Sequence, residues 1–67
     1  MPYNTNDDLP NGVKDHLPKH AQDIFREAFN HALEEYKDEE RAFRTAWSAV
    51  GHKYEKGDDA RWHPKKD

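Results

Sequence analysis

Between Pro18 and Lys37 the apolar residues Ala21, Ile24, Phe25, Ala28, Phe29, Ala32, Leu33 and Tyr36 recur at alternating steps of three and one. That rhythm follows one face of a helix with 3.6 residues per turn and cannot be fitted to the period of two that a strand requires. The opposite face carries Asp23, Arg26, Glu27, Asn30, His31, Glu34 and Glu35, all polar. Each phenylalanine on the stripe gains about 1.5–3 kcal/mol on burial. The remaining residues must therefore supply a cover for it.

The chain has 67 residues, enough for a single domain, and no cysteine, so neither a disulfide nor a thiolate metal site can reinforce it. Leu, Ile, Val and Phe together number nine, a composition at which disorder competes with folding. Two observations favour a folded chain: the net charge is only −3, and the aromatics fall at helical spacing rather than at random. No basic stretch followed by an apolar run marks a signal peptide, and apolar runs are too short to cross a membrane. A cytoplasmic protein without membrane insertion is expected. Charge is spread along the chain with only residues 56–67 net basic, which disfavours binding DNA by bulk electrostatics.

In chain order, residues 1–8 read as a polar arm with Tyr3 as its one large apolar side chain. Asp8 is placed to cap a short helix from Pro10 to His16 that aligns Leu9, Val13 and Leu17; Gly12 weakens it. Leu17–Pro18 should break the chain, because proline disfavours helical geometry in the residue before it. The central helix runs from Pro18 to about Lys37. Asp38 can cap a third helix, with Glu39 and Glu40 in its first turn. With no Gly or Pro between them, a continuous bent helix also remains open. The third helix carries Phe43, Trp47, Val50 and Tyr54 on one face, and Gly57 is the expected terminator. Residues 58–67 form a tail. Trp62 in that tail either docks back on the helices or pairs beside Tyr3, making a minor two-stranded sheet of the N- and C-terminal segments. The expected fold is mainly α: one short and two longer helices with facing stripes.

Candidate chemistry is sparse. Glu34, Glu35, Asp38, Glu39 and Glu40 form an acidic cluster. It can serve as a partner-binding surface or simply as a solvated helix junction; carboxylates on successive helical positions diverge, whereas calcium requires converging oxygens. Asn4, Asn6, Asp8 and Asp15 match positions of a calcium loop, but the required glycine is Leu9. The five histidines lack the convergent spacing of a zinc site. Arg61, Trp62, His63, Lys65 and Lys66 form a basic–aromatic tail that can stack on bases and meet phosphate, or bury its tryptophan on the core. No nucleophile–base pair or glycine-rich phosphate loop is present, so no catalytic residue, metal or cofactor is expected.

Several motifs together resemble the ChaB family. They are Met1-Pro2-Tyr3, Asp8-Leu9-Pro10, Leu17-Pro18, His20-Ala21-Gln22-Asp23-Ile24, Ala28-Phe29-Asn30, Ala46-Trp47, Ala49-Val50, Lys56-Gly57-Asp58 and Trp62. The resemblance spans nearly the whole chain as a single domain, though residues 37–41 are shorter than in members with a charged insertion there. It implies a small helical cytoplasmic domain with a minor strand pairing and no enzymatic activity. It further implies a regulator of a cation antiporter of the calcium/sodium–proton type that acts through a protein partner; independently of the resemblance, a monomer is expected. Links of some relatives to nucleic-acid work leave a nucleic-acid accessory role as the alternative.

Overall fold

The computed structural model describes residues 2–59 and 61–65; Met1, Ala60, Lys66 and Asp67 lie outside the described residues. A single 3-10 turn, Asn6–Asp8, leads into α1 (Asn11–Lys14), α2 (Lys19–Tyr36) and α3 (Glu39–Lys53), then β1 (Tyr54–Lys56) and β2 (Trp62–Pro64). The domain is mainly helical, as the periodicity requires.

The core gathers every stripe at one place. Leu9, Val13, Leu17, Ala21, Phe25, Phe29, Ala32, Ala42, Ala46, Val50 and Tyr54 are buried. The Phe43 ring meets Phe25 and Phe29 edge-on at 5.8 and 5.0 Å, and Trp47 meets Phe25 at 5.1 Å. These tilted arrangements place the positive ring edge against the negative face, adding about 0.5–1.5 kcal/mol per pair beyond burial. Ile24 is only half-buried, since it lies at one margin of the stripe.

Local chemistry sets the breaks. Pro10 and Pro18 occupy the cap positions of α1 and α2, and the Gln22 side chain donates to the Leu17 carbonyl (2.8 Å), closing the turn between them. Asp8 does not cap α1; its carboxylate instead accepts from the Thr5 amide at 3.2 Å, because the 3-10 turn intervenes. Between α2 and α3 the chain breaks fully. Lys37 adopts a left-handed conformation (φ 55°), with its amide donating to the Leu33 carbonyl at 2.8 Å. The Asp38 carboxylate then accepts from the Glu40 amide at 3.0 Å. The capping residue read from the sequence is the one used, and a continuous bent helix is ruled out.

The two-stranded pairing is present, but its strands are not the two termini. β2 pairs antiparallel with β1, aligning Tyr54 with Pro64 and Lys56 with Trp62. The expected helical end at Gly57 moves accordingly: α3 stops at Lys53, and Tyr54 buries its ring from an extended backbone. Gly57 lies in the hairpin loop, where a Cβ would come within 2.8 Å of the His63 ring. The N-terminal arm lies on α2 instead, with Tyr3 4.8 Å from Phe29. Among the described residues no helix is long and apolar enough to cross a membrane.

Candidate functional site

The acidic residues come together where α2 hands over to α3. Glu34 and Glu35 lie in the last turns of α2, Asp38 caps α3, and Glu39 and Glu40 open it; all five are exposed. Asp38 is committed to its cap. Glu40 reaches Arg44 at 3.5 Å, an exposed pair that contributes little. Asp38, Glu39 and Glu40 sit favourably at a helix start, but Glu34 and Glu35 sit at the negative end of the α2 dipole, where carboxylates are disfavoured. Helix stability does not explain those two. Burial, and then the Glu39 carboxylate, raises the pKa of the Tyr3 phenol above its ordinary value.

The basic–aromatic tail is arranged differently. Trp62 is half-buried, its ring 5.6 Å from Trp47, and its amide donates to the His16 carbonyl at 3.3 Å. Of its two readings, docking on the helices is the one observed. Arg61, His63 and Lys65 are exposed, and Lys66 lies outside the described residues. His63 Nε2 lies 3.1 Å from the Asp59 carboxylate. That bond, followed by the Arg61 amide, lowers the Asp59 pKa from its ordinary value. A small cavity of about 240 Å³ between the α1–α2 turn and β2 is bordered by Asp15 as well as Arg61, so the charge there is mixed. Among the described residues no group of three or more metal-ligating side chains converges.

Two features escaped the reading of the sequence. The first is the arm's attachment. Asn30 binds the Tyr3 backbone through both ends of its amide, and Asn6 is held between Asp23 (2.6 Å) and Arg26 (2.8 Å). Asp23, Arg26 and Asn30 form a polar row at helical spacing, which in the sequence has the composition of any solvated face. The second is an open groove of about 580 Å³ on the other flank of α2, floored by Ile24, Ala28 and Ala32 from α2 and by Thr45 and Ala49 from α3. Ile24, Ala28, Ala32 and Tyr36 recur every four residues, a straight row within the stripe. Tyr36 is the one large apolar side chain among the described residues left exposed, at 47%.

A family model described as ChaB matches residues 9–65. The chain is 53% identical over 75 aligned positions to a protein of Escherichia coli (strain K12) named "Putative cation transport regulator ChaB", covering 97% of this chain and 99% of that one. A relative of the same name from Shigella flexneri matches to the same extent. A solved structure, "NMR solution structure of the putative cation transport regulator ChaB", superposes with a TM-score of 0.87 at 52% identity, covering 97% of this chain and 100% of the other.

Proposed function

The chain belongs to the ChaB family, and from that premise we propose that it is a non-catalytic cytoplasmic module that regulates cation transport by binding a protein partner, a calcium/sodium–proton antiporter. The observation that carries this reading is the near full-length likeness to relatives named as cation transport regulators. The junction supports it. Glu34 and Glu35 are exposed at a helix end that disfavours them, as suits carboxylates whose partner lies on another molecule. Trp62 weighs against the nucleic-acid alternative, since its ring already lies against Trp47 and Asp15 and Asp59 dilute the basic charge around it.

Capture of interacting proteins from membranes and cytosol, with the intact chain and with Glu34, Glu35 and Glu39 changed to lysine, tests the reading. A membrane transporter recovered by the first and lost by the second supports it. Recovery unchanged by the charge reversal removes the acidic junction as the contact. Salt titration with labelled DNA addresses the alternative: phosphate-driven binding weakens steeply as salt rises, and an absence of binding at low salt ends it.

A further inference from the structure

The geometry points to the groove between α2 and α3 as the seat for one amphipathic helix of a partner protein, basic along the edge that meets α2 and acidic along the edge that meets α3. It rests on the interaction reading above and adds where the partner sits and what chemistry it brings. Its floor is apolar and shallow-sided: Ala28 and Ala49 are half-buried across from one another, and small side chains let another helix approach closely. From Ile24 to Tyr36 the row covers twelve residue steps, about 18 Å at 1.5 Å per step. That is the length of roughly three helical turns, the i, i+4 footprint of helix-in-groove recognition.

The walls differ in charge. α2 contributes the carboxylates of Glu27 and Glu35 with His31 between them, and α3 contributes His52 and the ammonium of Lys53. Among the described residues none of Glu27, Glu35 and Lys53 forms an ion pair within the chain, so these charges face outward unspent. Charges arranged this way fix the direction of a bound helix, because turning it end for end exchanges its two edges. A second copy of the chain is a poor occupant. It presents the same concave groove, and two concave surfaces leave a void between them, while the apolar residues of α1 and of the hairpin already cover the chain's own core.

Designed helical peptides of about four turns, with a leucine–alanine stripe, provide the probe. One carries lysines on one edge and glutamates on the other; a second has the edges exchanged; each bears a paramagnetic label at its N-terminus. With the isotope-labelled protein, both peptides should shift the resonances of Ala28, Thr45 and Ala49. The label should broaden signals near Tyr36 with one peptide and near Lys53 with the other. Ala28→Arg, on the open side of α2, should weaken binding at least tenfold while the Phe25 and Trp47 resonances stay in place. Glu27→Lys with Glu35→Lys should weaken it likewise, and a peptide acidic on both edges should then bind best. Absence of shifts in the groove, broadening at both ends with either peptide, or self-association abolished by Ala28→Arg would each overturn the assignment. If capture from membranes still recovers a transporter that Ala28→Arg leaves unaffected, the interaction reading stands and the groove assignment alone falls.

Discussion

Asn30 grips Tyr3 by both of its backbone groups: the Tyr3 amide donates to Asn30 Oδ1 at 2.8 Å, and Asn30 Nδ2 donates to the Tyr3 carbonyl at 2.7 Å. One side chain thus imitates a neighbouring strand and lays the arm along α2, with the tyrosine ring over Phe29. Asn30→Ala should lower stability by about 1–3 kcal/mol, the loss of two hydrogen bonds of roughly 0.5–1.5 kcal/mol each. Amide exchange would show Tyr3 deprotected while the centres of α2 and α3 stay protected. Asn30→Asp keeps the acceptor but not the donor and should fall between. Because the folded-state pKa of Tyr3 is raised, its contribution holds below the ordinary phenol value and is lost as pH rises toward the folded one. Glu39→Gln should lower that pKa part of the way, leaving the larger share due to burial.

Phe29 and Ile24 lie five residues apart on one stripe yet should respond unequally. Phe29 is wholly buried, so Phe29→Ala should cost about 3–5 kcal/mol in denaturant unfolding. Ile24 borders the open groove and leaves little cavity when trimmed. Ile24→Ala should cost roughly half as much or less, at the low end of the large-to-small range. Equal costs would mean that the groove is closed in solution.

Lys37 holds a left-handed backbone that a side chain disfavours by about 1–2 kcal/mol. Lys37→Gly should therefore raise stability by about 1 kcal/mol, less the entropy glycine adds to the unfolded chain. Asp38→Ala, one residue on, should lower it by about 1 kcal/mol through loss of the α3 cap. Thermal melts of the two variants should shift in opposite directions.

The hairpin loop should respond to acid. The Asp59 pKa is lowered by the His63 bond first and the Arg61 amide second. A depressed carboxyl contributes stability above its unfolded value and loses it as pH falls through the folded one. Carboxyl titration followed by NMR should give Asp59 a midpoint below the ordinary aspartate range, and His63→Ala should move it back toward that range. Opening of the loop should follow protonation of Asp59, with the core unaffected.

The acidic junction was legible because five carboxylates within seven residues on two helix ends cannot be buried, and all five are exposed. The arm's seat on Asp23, Arg26 and Asn30 was not, because an exposed polar face and one that holds a docked strand have the same composition. The groove was hidden for a related reason. Alanines at helical spacing belong equally to a filled core and to an unfilled surface, and only the position of α3 distinguishes them.

Local spacing by itself determined the helical stripes, the break at Leu17–Pro18 and Asp38 as the residue able to cap α3, because each follows from backbone periodicity and capping within a few residues. The tertiary structure decided that β1 rather than the arm pairs with β2, that Tyr54 leaves the helix while staying buried, and that the far flank of α2 stays open. Those outcomes depend on which distant surfaces win the same apolar and hydrogen-bonding groups. That competition is settled by three-dimensional packing and leaves no mark in local spacing.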